Sequence, residues 1–301
     1  MWVYDKSTNR SFPSNTKNVA SESRFYDFEI DGELNSLEPW LGELEAEAKK
    51  VISSILAADS VSHLSVEERL LLASFLSVQL TRTKTFREEW NAFPKMLREH
   101  FAKSGDQVEP GSQAEQLIQD HTENETKEQT ARIILDAPET YARHFLDKDW
   151  VLAATNRKHA FLLSDNPLTR QNFIDSPYRG NLGLKSPGIE IYFPLSPSRA
   201  LAMWCPSLTD QVHRGAAALV RDGGPSAIAS AADPTGVLFM SKALLNGGIV
   251  QYTPENVINF NSLQVVWSER YIFSTTNDFE LVKEMLDSQP NHKRGPRSKV
   301  A

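Results

Sequence analysis

Between Leu37 and Ala58 the apolar side chains recur three and four residues apart, at Leu41, Leu44, Ala48, Val51, Ile52 and Ile55. That spacing lines them along one stripe of an α-helix. Pro39 suits the first turn, and Glu38 sits near the positive end of the helix dipole. At about 100° per residue, Glu45 and Glu47 flank the stripe on opposite sides and Glu43 points away from it. Ser65-Val-Glu-Glu68 has the form of a capping box, which predicts a second helix running through Leu80 to Arg87 or beyond. Pro94 predicts a kink or a break, with Lys95–Lys103 continuing helically beyond it. Residues 104–111 read as a loop. Two further helices are expected over about 112–121 and 127–145, the second interrupted at Pro138.

The period changes near Asp149. Trp150–Thr155, Phe161–Leu163, Ile189–Pro194 and Ala200–Trp204 carry strand patterns, with Asn156–His159 as a hairpin tip between the first two. A short strand is expected at Trp2–Tyr4, a long loop over 169–188, and a small-residue-rich connection from Gly223 to Pro234. Helices follow at about 208–219, 257–268 and 278–286, with Tyr271–Ser274 extended between the last two. The pattern as a whole predicts an α+β protein, in which a helical N-terminal half packs on a small, mainly antiparallel sheet with later helices. The expected organisation is a single domain over 1–290, helical over about 37–148 and mixed over 149–290, followed by a solvated basic tail at 291–301.

Composition narrows the class. With 40% apolar and 24% charged residues in 301, the chain suits a globular protein with a substantial core. A net charge of −7 argues against a broadly basic nucleic-acid-binding surface, though not against a local groove. Cys205 is the only cysteine, so neither an internal disulfide nor a cysteine zinc cage can form, and a reducing cytoplasm is the expected compartment. No signal-peptide pattern opens the sequence. No run approaches the roughly 18 apolar residues of a membrane span.

One local contradiction stands out. Gln79 falls near the middle of the apolar face formed by Leu72, Phe75, Leu76, Thr83 and Phe86, and Arg82 borders it. A buried amide left unpaired costs roughly 1–3 kcal/mol and an unpaired guanidinium more, so both side chains require partners. Arg82 either holds an anionic group that Gln79 orients, or forms a structural pair with Glu45 or another acid. A second candidate is Ser164-Asp-Asn-Pro167, where an apolar strand ends in a rigid turn. It is either a cap on the strand or a device presenting Asp165 as a general base, a metal ligand or the partner of Arg82. Phe193-Pro-Leu-Ser-Pro197 has a similar form, with Ser196 expected to shape the corner. No phosphate-binding glycine loop and no metalloprotease or nucleophile-elbow motif occurs, and the seven histidines lack ligand spacing. No cofactor or metal follows from the sequence.

The order Trp2–Lys6, Lys17-Asn-Val-Ala20, Phe25-Tyr26, Leu44-Glu45, Gln79-Leu-Thr-Arg82-Thr83, Phe161–Pro167, Phe193–Pro197, Asn261 and Tyr271–Ser274 resembles the domain of unknown function 4238 family over roughly residues 2–275. Members of that family are mostly bacterial and carry no assigned activity. They usually open with a His-x-Val-Pro segment ahead of the strand matching Trp2–Lys6. The resemblance therefore implies a truncated or inactive chain if that histidine serves the site. It supports Glu45, Gln79, Arg82 and Asp165 as site residues.

Two function classes follow. The first is a hydrolase acting on a phosphate-containing or other anionic substrate, a small molecule or nucleic acid, nuclease-like in one version. Here Asp165 and Glu45 would be catalytic, with Arg82, Gln79, Ser164 and Asn166 binding substrate. The second is a non-catalytic binding or interaction module whose polar cluster is structural.

Overall fold

A computed structural model describes residues 1–15, 19, 27–30, 33–119, 122–156, 158–174, 180–221 and 233–297. The connection from Gly223, Lys17–Ala20 apart from Val19, and Phe25-Tyr26 fall outside the described residues.

The helical half is built from local signals. Helix α1 (Glu38–Ala58) starts with Pro39 in its first turn and stops at Asp59, whose φ of 49° is left-handed. Helix α2 (Val66–Thr81) carries the complete capping box: the Ser65 hydroxyl accepts from the Glu68 N–H, and the Glu68 carboxylate accepts from the Ser65 N–H. It does not continue to Arg87 as the apolar period suggests. Thr83 turns extended and its hydroxyl accepts from the N–H of Phe86, which starts helix α3 (Lys84–Ser104) in a new direction. Arg82 is therefore left at the joint between two helices. Neither Pro94 in α3 nor Pro138 in α5 (Glu123–Leu146) ends its helix, while the short α4 (Gln113–Leu117) lies between them.

The mixed half holds a five-stranded sheet in the order β10-β5-β9-β8-β7, made of β5 (Asp149–Ala154), β7 (Thr169–Gln171), β8 (Glu190–Ser196), β9 (Arg199–Trp204) and β10 (Ile249–Gln251). Only the β10–β5 pair is parallel. The hairpin expected around 156–159, of which Arg157 lies outside the described residues, does not form, because β5 pairs with β9 and β10 instead of with the segment that follows it. Part of the expected 169–188 loop is strand β7. At the β8–β9 corner the Ser196 hydroxyl accepts from the N–H groups of Ser198 and Arg199, as expected of a corner-shaping serine.

Alternation along β5 divides the core. Trp150 and Leu152 pack with α1, α2 and α5 around Leu72, Leu76 and Phe145 on one face. Val151 and Ala153 pack on the other with Phe161, Leu244 of α7 (Pro234–Asn246) and Val257 and Phe260 of α8 (Pro254–Trp267). Helix α6 (Pro206–Arg221) packs beside α7, with Val212 against this cluster.

A second, antiparallel sheet has the order β2-β1-β11-β6, from β1 (Trp2–Asp5), β2 (Arg10–Pro13), β6 (Leu163–Ser164) and β11 (Tyr271–Ser274). Tyr4 and Ile272 pack against Val265 of α8 and Phe279, Val282 and Leu286 at α9 (Glu280–Ser288). Helix α8 therefore covers both sheets, one with Val257 and Phe260 and the other with Val265. A separate hairpin pairs β3 (Asp27–Ile30) with β4 (Glu33–Ser36).

The basic C-terminal stretch departs from the solvated tail expected of it. Pro290–Lys293 is a 3-10 turn, Gly295 is buried, and Arg297 bonds both carboxylate oxygens of Glu269 at 2.7 and 2.9 Å. Residues 298–301 lie outside the described ones. In all, the chain is α+β, with two main sheets flanked by helices, and no described helix is long and apolar enough to cross a membrane.

Candidate functional site

A cleft of about 880 Å³ opens where α1, the α2–α3 joint, the β6–β11 edge and the end of β8 approach one another. Volumes of several hundred cubic ångströms are typical of small-molecule sites. The cleft brings together Glu45, Gln79, Arg82, Ser164 and Asp165, five of the six residues singled out in the sequence. Asn166 is not among them. Its amide points away and donates to the Trp267 carbonyl at 3.0 Å.

Gln79 and Arg82 solve each other's problem. Gln79 is 6% exposed. With its amide oriented so that the oxygen faces Arg82, that oxygen accepts from Nε at 3.2 Å and from Nη2 at 2.6 Å. Nη1 of the same guanidinium donates to the Glu45 carboxylate across from α1. A guanidinium has five N–H donors. Three are used here, so two remain, on a side chain that lines the cleft. The Arg82–Glu45 pair is the structural alternative raised above, yet both of its members stay at the cleft wall.

Asp165 is positioned differently from any acid free to react. Its Oδ1 accepts from the N–H of Glu269 at 2.8 Å, and its Oδ2 accepts from those of Arg270 and Tyr271 at 2.7 and 2.9 Å. It makes no bond to Arg82, so the idea that it neutralises that guanidinium is corrected. Burial pushes its pKa above the ordinary carboxylate value, against the pull of the three N–H donors and of Lys6. The carboxylate fixes the turn that leads into β11.

The neighbours of Asp165 explain the rest of the Ser-Asp-Asn-Pro turn. The Ser164 hydroxyl donates to the Gln264 carboxamide at 2.7 Å, and the Gln264 amide donates to the Pro167 carbonyl at 3.0 Å. Asn261 accepts from the Leu162 N–H and donates to the Ala160 carbonyl. Ser164 and Asn166 are thus held by α8, and the bonds of both serve the fold. Alternation sends Leu163 and its register partner Phe273 toward the cleft, opposite the face that Ile272 buries.

Lys84, Arg87 and Arg270 also line the cleft and were not singled out in the sequence. Lys84 and Arg87 follow from Thr83 once it is recognised as an N-cap, because the first turn of α3 then sets them beside Arg82. Arg270 has no local signal. It is fixed by bonds at 3.0 and 2.7 Å to Asp5, 265 residues away. Among the described residues, the lining carries four cations (Arg82, Lys84, Arg87, Arg270) against three acids (Glu38, Glu45, Asp165). Among the described residues, no group of three or more His, Cys, Asp or Glu is placed to hold a metal ion.

A family model described as Protein of unknown function (DUF4238) matches residues 1–278, and the chain belongs to that family. No curated protein and no solved structure matches it.

Proposed function

We propose that this member of the DUF4238 family binds a small anionic ligand in the cleft, with Arg82 as the main contact and Gln79 as the group that orients it. The observation that carries the reading is the Arg82 guanidinium, anchored on one side by Gln79 and on the other by Glu45, with two donors left at the wall of an open cleft. A pre-oriented guanidinium loses little freedom on binding and matches a carboxylate or phosphate with parallel bonds. Lys84, the first residue of α3, adds positive potential beside Arg82. A small anion fits this lining better than nucleic acid does, because acids are interspersed with the cations and the chain as a whole is negative.

Hydrolysis of a phosphate-containing ligand is the catalytic form of the same reading. Glu45 is the better candidate for its acid–base group, since the oxygens of Asp165 already accept three N–H bonds. Asp165 then acts as a positioning residue. A reducing cytoplasm suits the lone Cys205.

Calorimetric titration with inorganic phosphate and with phenyl phosphate tests the binding. Saturable binding is expected, weakened about tenfold or more in Arg82→Gln and only partly in Arg82→Lys, which keeps the charge but not the fork. An intact chain that takes up neither anion overturns the reading. Release of nitrophenol from its mono- and diesters of phosphate tests hydrolysis, with Glu45→Gln expected to abolish any turnover.

A further inference from the structure

Along α1 and α2 the charged side chains that line the cleft gather toward one end. Along α1 the cleft is lined by Glu38, Glu45 and, seven residues on, Ile52, a distance of about 10 Å from Glu45 at 1.5 Å per residue. Along α2 the order runs the opposite way, from Arg82 back to Gln79 and then to Phe75 beneath the wall, where Phe75 meets Phe193 edge-on at 6.0 Å. Ile52 and Leu195 pack on the same core cluster as Phe75 and Phe193. Both helices thus grade from charge at the α2–α3 joint to hydrocarbon at the end of β8. Leu163, 38% exposed although it lies in a strand, adds apolar surface on the facing wall.

Resting on the anion-binding reading, we infer that the cleft takes a soluble single-chain amphiphile, an anionic phosphate or carboxylate head carrying an alkyl or aryl body. The head meets Arg82 and the body lies over Ile52, Phe193 and Leu195. A cleft built for a bare ion would gain nothing from an open apolar end, because water must be held against that surface when the ligand is absent. Charge complementarity sets the head at Arg82, and the apolar gradient sets the direction of the body.

Alkyl phosphates of increasing length, from inorganic phosphate through butyl to octyl phosphate below its aggregation limit, test the inference by calorimetry on the intact chain. Affinity is expected to rise roughly two- to fourfold per methylene, up to the full transfer value of a buried CH₂. Leu163→Gln is expected to flatten that dependence and leave inorganic phosphate binding unchanged. Gly42 lines the cleft, and among the described residues a Cβ built on it meets no atom within 4 Å. Gly42 lies one turn before Glu45, at the charged end, so Gly42→Trp is expected to weaken inorganic phosphate and octyl phosphate alike while the chain stays folded. Equal affinity for phosphate and octyl phosphate overturns the amphiphile and leaves the anion reading standing. No binding of any of them overturns both. Binding to phosphatidylglycerol vesicles without binding of monomeric octyl phosphate assigns the ligand to a bilayer, which also overturns the inference.

Discussion

The Nζ of Lys6 donates to the carbonyl of His292 at 2.5 Å, tying β1 to a turn 286 residues further along the chain. The same ammonium donates to the carbonyls of Val265 and Ser268 at 2.9 and 2.7 Å, and Lys6 is fully buried. Burial pushes its pKa down to about 8, while Asp165 and Glu269 pull it up. The lysine ammonium carries three N–H donors, one for each of the three carbonyls.

Replacing Lys6 with Met removes the donor to the Ser268 and His292 carbonyls and leaves Val265 only the bond from the Ser268 hydroxyl. A loss of about 3 kcal/mol in unfolding free energy by urea is expected, at about 1–3 kcal/mol for each buried carbonyl left without a donor. We further propose that residues 1–290 form one domain, because Lys6 and α8 tie together elements from both ends of the chain. Far-ultraviolet dichroism and tryptophan fluorescence should then report a single coincident transition in wild type and variant. Two separated transitions would reject the single domain.

Asp165→Asn separates structure from chemistry at the turn before β11. An amide N–H₂ replaces one oxygen of a carboxylate that accepts three N–H bonds, so a donor must face donors. The variant is expected to lose about 2–3 kcal/mol of stability. Unchanged thermal stability would show that these bonds contribute little.

Gln79→Leu removes the acceptor that fixes Nε and Nη2 of Arg82 while matching the apolar surroundings of α2. Stability should change by no more than about 1–2 kcal/mol, because an apolar group of similar size fits the face. Affinity for inorganic phosphate should fall several-fold as the guanidinium gains freedom. Calorimetry on the folded variant reads the second effect separately from the first.

Asp5 is expected to contribute to the acid limb of the stability profile. Burial pushes its carboxyl up, but the bonds from Arg270 and from the Ser7 hydroxyl and N–H, with the Arg270 charge, bring its pKa down to about 2. Since the folded value lies below the ordinary 3.8, the unfolded chain binds more protons between the two. The stabilisation is therefore fully present above about pH 4 and is lost as the pH falls through about 2. Its size is about 1–2 kcal/mol, reduced because the Arg270 side of the pair faces water. Asp5→Asn should flatten this part of the curve, as followed by urea midpoints between pH 2 and pH 5.

What was legible in the sequence is what a few neighbouring residues decide among themselves. The stripe of α1, the Ser65–Glu68 box and the alternation of β5 and β9 depend on contacts within one turn or one pleat, and they appear as predicted. Gln79 was also legible as a problem, because an amide on an apolar face requires a partner whatever the fold. Where two local signals compete, the period misleads. The apolar run past Leu80 suggested a continuous helix, but the Thr83 cap bonds the Phe86 N–H and splits it. The tertiary structure alone decided the partners. The three donors to Asp165 come from residues 104 to 106 positions away, and a basic C-terminal stretch is held down by Lys6 and Glu269 instead of by any feature of its own composition. Hydrogen-bonding demand is written into each residue, while the group that meets it depends on which strands and helices the packed core brings within about 3 Å.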